Sequence, residues 1–154
     1  MAEYDSRPEI YEHITQVRNL LLDAAVQLID RAHLHDVSKL LPPEVEAFDE
    51  FTPKLKDLVY GSDEYRECLR QMKPALEHHY AANRHHPEHF EGGIGDMNLL
   101  DMLEMLCDWI EASKRTKDGD VRKSIETINA ERFGYDEGVK RLLLNTLDVL
   151  EGMA

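Results

Sequence analysis

Cysteine is scarce in this chain. Cys68 and Cys107 lie far apart, form no CxxC pair and imply no disulfide framework, so both suit a reducing compartment. Long apolar runs are missing, since nothing approaches the ~20 residues of a membrane span. The opening MAEYDSRPEIYEH is too polar and acidic for a signal peptide. Basic charge is also short: 18 Lys and Arg against 31 Asp and Glu leave a formal net charge of −13. A field of that sign repels nucleic-acid backbones and anionic membranes. The expectation is a cytoplasmic protein with neither a nucleic-acid polymer nor a membrane as partner. A small phosphorylated ligand remains open, because a bound divalent cation reverses the local field. There is no P-loop, no glycine-rich dinucleotide fingerprint and no Ser-His-Asp order of the kind that supports acyl transfer.

What is present reads as helix. Hydrophobic residues at 42% and charged residues at 32% of a 154-residue chain fit one ordinary globular domain over residues 1–154. SRPE at 6–9 has the form of a capping box, and IYEHITQVRNLLLDAAVQLIDRAH carries Ile10, Val17, Leu20, Leu21, Ala24 and Leu28 at helical spacing. A second short helix is predicted over HLHDVSKL, stopping before Pro42, and a third over PEVEAFDEF. Residues 63 to about 85 predict one long helix capped by Asp63, with Pro74 as a kink. HHPEHFEGGIGDM is a loop, Asn98 caps LLDMLEMLCDWIEASKR, and helices follow over 119–132 and 136–151. No stretch alternates with period two. The predicted class is all-α, a bundle of roughly six to seven helices.

Histidine is the departure: eight in so acidic a chain, with five between residues 78 and 89. His13 shares the apolar stripe of Val17, Leu20 and Ala24. His79 and His86 fall on the side of the later helix that carries Cys68, Met72, Ala75 and Ala82, whereas His78 points elsewhere. His35 and Asp36 add a third segment. Buried imidazoles need partners, and several converging on one interior are costly unless a cation organises them as neutral ligands. Imidazole with carboxylate suits Fe, Mn, Zn, Ni or Co, in a centre of one or two ions.

The order His13 … His35-Asp36 … Asp108, with HDVSK after an apolar helix, resembles the HD-domain superfamily of metal-dependent phosphohydrolases. His79 and His85-His86 before PEHFEGGIG are similar to the added histidines of its two-metal branch, although the Gly-Tyr-Pro of the HD-GYP phosphodiesterases is absent. HYAANRHHPEHF and MNLLDMLEMLCDW resemble more closely an uncharacterised HD-like family of phages and bacteria, over about residues 9–115. The resemblance implies a first metal on His13, His35, Asp36 and Asp108, and a second on His79, His85 and His86, with Asp36 bridging. It implies Glu9 as an added carboxylate and Lys39 as a contact to substrate phosphate. Arg84 offers a second phosphate contact, and Asn83 and Glu104 are placed to orient ligands.

Each feature has a plainer meaning. Glu9 serves equally well in the capping box, Lys39 and Arg84 as solvated cations, and His33, His78 and His89 as surface residues. By periodicity alone Asp101, Glu104, Asp108 and Glu111 form a solvated acidic face opposite Leu99, Leu103, Leu106 and Ile110; only the resemblance turns Asp108 inward. The expected activity is hydrolysis of a small phosphate ester, first of all a nucleotide, by a metal-activated water, with Asp36 and Lys39 at the centre of the chemistry. Two alternatives keep the metal: a di-iron oxygenase of HD type, and a non-catalytic metal-stabilised binding or inhibitory protein. The apolar final segment VKRLLLNTLDVLEGM either closes the core or forms a homodimer face.

Overall fold

The computed structural model describes residues 4–59, 62–115 and 118–152. All regular structure among them is helical, as the sequence predicts. No helix among these residues is long and apolar enough to cross a membrane. By its internal contacts the chain divides into two units, Met1–His35 and Asp36–Ala154, and each is described by itself.

The first unit is one helix, α1 (Arg7–Leu34), about 42 Å long at the usual rise of ~1.5 Å per residue. The expected capping box does not form. Ser6 is itself helical in its dihedrals and its side chain makes no cap bond, while Glu9 accepts a hydrogen bond from Tyr4. Nor does the helix break before His33. Nothing in Arg31-Ala32-His33-Leu34 interrupts a helical ladder, so α1 runs on until His35 turns extended (φ −51°, ψ 122°).

The second unit opens with Asp36 in the left-handed region (φ 57°, ψ 13°), which aspartate tolerates better than most residues. Only Val37–Leu40 then coils, as a 3₁₀ turn, in place of the helix predicted over 33–40. Leu41 is extended, as a residue before proline tends to be, and α2 (Glu44–Lys56) follows. The long helix predicted from residue 63 is two: α3 (Asp63–Gln71) and α4 (Lys73–Ala82), joined at the buried Met72. Pro74 therefore sits in the first turn of α4, where its missing N–H costs nothing, and is no mid-helix kink. Ser62, not Asp63, caps α3, its hydroxyl accepting from the Tyr65 amide at 3.1 Å. α2 packs against α4 and against the 3₁₀ turn.

The loop predicted over 85–97 spans residues 83–98, because α4 ends at Ala82, and it holds 3₁₀ turns at Pro87–His89 and Gly93–Asp96. Asn98 caps α5 (Leu99–Ser113) in a complete capping box. Its side chain accepts from the Leu100 and Asp101 amides at 2.9 and 3.0 Å, and Asp101 accepts from the Asn98 amide at 3.0 Å. Asn98→Ala is expected to cost about 1 kcal/mol and lower the melting temperature by roughly 2–4 °C, read by circular dichroism.

The remaining chain is α6 (Val121–Lys123), a π-helical turn at Ser124–Ile128, α7 (Asn129–Phe133) and α8 (Glu137–Glu151). Gly134, at φ 64°, ends α7 in the left-handed conformation that glycine adopts without penalty. Met105 and Leu106 of α5 bury against Ile125, Leu143 and Leu147, so this end of the chain closes a core. The Tyr135 hydroxyl donates to the Ile125 carbonyl at 2.6 Å, and Trp109 stacks on Phe133 at 5.7 Å between ring centres. One expectation reverses here. Leu99, predicted to be apolar centre, is 71% exposed at the first position of α5, whereas Asp101 is fully buried.

Candidate metal centre

Four side chains of the second unit aim at one point. Asp36 arrives from the left-handed corner before the 3₁₀ turn, His79 from the last turn of α4, and His85 and His86 from the loop that follows. His79 Nε2 lies 2.8 Å from His86 Nε2 and 3.4 Å from Asp36 Oδ1, which is 3.5 Å from His85 Nε2. One ligand atom from each of the four falls within 4.8 Å of every other. Donors bound at ~2.1 Å around a tetrahedral ion lie about 3.4 Å apart, close to the spacings of Asp36 Oδ1 from His79 and His85, while the 2.8 Å between His79 and His86 would have to widen. The donor set, three imidazoles and a carboxylate, is also the right chemistry for Zn, Fe, Mn, Co or Ni.

The far side of each ring fixes its orientation. His79 Nδ1 is 2.8 Å from Glu44 Oε2, and His85 Nδ1 is 3.1 Å from Glu104 Oε1. A carboxylate behind an imidazole is a common way to hold a ring to a metal. Burial, and then the charge of Lys39, hold the His79 imidazole below the ordinary histidine range, against the pull of Asp36 and Glu44. Burial, followed by the His85 and His79 rings, pushes His86 down to about 3. Neutral imidazole is the form that ligates.

The other predicted residues take definite places. Lys39 Nζ sits 2.5 Å from Asp36 Oδ2 and 5.1 Å from the centre of the Phe48 ring. Asp108 is half-buried on α5, with a carboxylate oxygen within 4.8 Å of one of Asp36. The face of α5 that carries Asp101, Glu104 and Asp108 is therefore no solvated acidic face. Asn83 orients its neighbours as expected, donating to Ser38 Oγ and to the His79 carbonyl, both at 2.8 Å. Arg84 is exposed, as its solvated reading has it, yet it also has protein partners. Its Nε and Nη2 hold the buried Asp101 at 3.3 and 3.1 Å, and it lies over the Phe90 ring. Glu9, His13 and His35 belong to the first unit, the first two one turn apart on α1 and the last at its C-terminal cap.

Two histidines expected at the surface have protein partners. His89 Nδ1 donates to the Tyr80 carbonyl at 2.9 Å, and His78 Nδ1 is 2.7 Å from Glu44 Oε1. Glu44 and Ser38 are what the sequence concealed. An acid opening a helix after Pro-Pro reads as a complement to the helix dipole, and only the tertiary fold brings it to His79.

Fold and site together define an all-α protein with a histidine-rich candidate metal centre. The chain belongs to a family of unknown function, DUF5662, which it matches over residues 2–154. No curated protein and no solved structure matches it.

Proposed function

We propose that the protein is a metal-dependent hydrolase of a small phosphate ester, with a nucleotide as the first substrate to test. The observation that carries this reading is the convergence of His79, His85 and His86 Nε2 with Asp36. The resemblance of HDVSK and its surrounding histidines to the HD phosphohydrolases supports it, as does a lysine at the rim. When bound, a divalent ion supplies a polarised water and neutralises charge on the phosphoryl oxygens.

The chain's own residues do the rest. Asp36 and the three imidazoles hold the ion, and the carboxylate has a second oxygen facing Lys39. Asp108 adds negative charge beside Asp36 and His86. Lys39 is the phosphate contact of this reading, because its ammonium pairs with Asp36 of the centre itself, whereas the acid that Arg84 pairs with, Asp101, is not among the clustered ligands. A fixed cation aimed at charge that grows in the transition state contributes without reorganising.

Elemental mass spectrometry of untagged protein, followed by a nucleotide panel with the metal found, tests the proposal. At least one transition-metal ion per chain and phosphate or nucleoside release are expected. Failure to take up iron, manganese, zinc, nickel or cobalt would sink it. Iron-dependent oxygen uptake without phosphate release would replace it with the oxygenase, and firmly held metal without turnover would favour the binding protein.

A further inference from the structure

Glu44 is fully buried, yet it is a carboxylate at the first position of α2 with three hydrogen-bonding neighbours. His78 Nδ1 lies 2.7 Å from Oε1, while Ser38 Oγ at 3.0 Å and His79 Nδ1 at 2.8 Å share Oε2. Burial works against its charge, but the bonds from His78, Ser38 and His79 outweigh that and keep its pKa below the usual glutamate value.

The protons in this network can be assigned by counting. Asn83 has two N–H groups and three acceptors within reach, Ser38 Oγ and the His79 carbonyl at 2.8 Å each and His79 Nδ1 at 3.0 Å, and the two shorter bonds take both protons. Ser38 has one, and its bond to Glu44 Oε2 at 3.0 Å is shorter than its 3.4 Å approach to His79 Nδ1. Neither neighbour has a proton left for His79 Nδ1, so that nitrogen carries its own and donates it to Glu44. The neutral ring then presents a bare lone pair on Nε2, which is the atom facing Asp36 and His86.

We propose that Glu44 is the positioning residue of the metal centre: held by Ser38 and His78, it fixes His79 in the Nδ1–H tautomer that leaves Nε2 open to a cation. This rests on the metal-binding reading above and deepens it. Glu44 touches no donor atom of the cluster on its inner side and acts only through His79. A glutamine substitutes only in part, because its amide accepts at one end and donates at the other. With nitrogen toward His79 the ring must change tautomer. With oxygen toward His79 the ring keeps Nδ1–H but loses the carboxylate charge behind it, so in both cases the hold on a metal-ready ring weakens.

Long-range proton–nitrogen NMR of the histidine rings in metal-free protein at neutral pH, with zinc titration by calorimetry, tests it on wild type and Glu44→Gln. Expected is a wild-type His79 protonated at Nδ1. In Glu44→Gln, zinc should bind about 10–100-fold more weakly, the usual loss when a ligand's supporting group is removed. A wild-type His79 protonated at Nε2 overturns the proposal without needing any variant to fold. So does a Glu44→Gln protein that keeps the wild-type tautomer and affinity. A wild type with Nδ1–H at His79 but no zinc binding overturns the metal reading and leaves the hold of Glu44 on His79 supported.

Discussion

Asp36→Asn protein is expected to carry only background metal, with affinity lowered on the order of a thousandfold, about 4 kcal/mol. Phosphate release should fall in parallel. Asparagine isolates the effect, because at φ 57° an alanine would add about 1 kcal/mol of backbone strain, whereas Asn accepts this conformation almost as readily as Asp. The substitution keeps the shape and removes one charge. Where Oδ1 faces His79 and His85 Nε2 at 3.4 and 3.5 Å, an amide can donate to an imidazole lone pair and so occupy it. On the other side Lys39 loses its counter-charge and becomes an uncompensated cation beside the imidazoles. Fold should survive, since the apolar cluster of the C-terminal helices does not include this corner. Elemental analysis beside a thermal melt separates the two effects, and wild-type metal content in the variant would remove Asp36 from the centre.

Leu147→Ala is expected to have the opposite profile. Leu147 is fully buried on α8 among Met105, Leu106, Ile125 and Leu143, so truncation loses its transfer free energy and leaves a cavity. The cost should be about 3 kcal/mol, within the ~2–5 kcal/mol usual for such changes. For a chain of this size that lowers the melting temperature by roughly 6–12 °C. Well below the transition, metal uptake should match wild type, because α8 supplies none of the donors. A shift of under ~2 °C would show that α8 does not close a packed core.

Helix content and the cap at Asn98 were legible because both are local: spacing of apolar residues and a side chain three positions from its amide partner. The gathering of His79 and His86 comes about by another route than the helical spacing that suggested it, because α4 ends at Ala82 and His86 arrives on the extended stretch beyond. The failures are tertiary or competitive. The box at Ser6 lost Glu9 to Tyr4. Met72 stayed helical in its dihedrals, yet Pro74 made its own position a first turn, so one expected helix became two. α5 misled most, because Asp101 is buried by a partner, Arg84, that no periodicity reveals. Glu44 was invisible for a related cause: its three partners are fixed by packing across distant segments, and a lone acid at a helix start gives no sign of them.

Two of the three imidazoles ride on the non-helical stretch after α4 rather than on a helix. That stretch is tied by short bonds, His89 to the Tyr80 carbonyl and the Gly92 amide to Asp96, and by the buried Pro87, Ile94 and Met97. Amide exchange there reports on the centre. Any opening that swings His85 and His86 away must also release a bound ion, so the ion's binding free energy adds to the cost of that opening. A metal would act on this protein as a clasp, slowing exchange along residues 83–98 first and leaving the core under α8 nearly untouched.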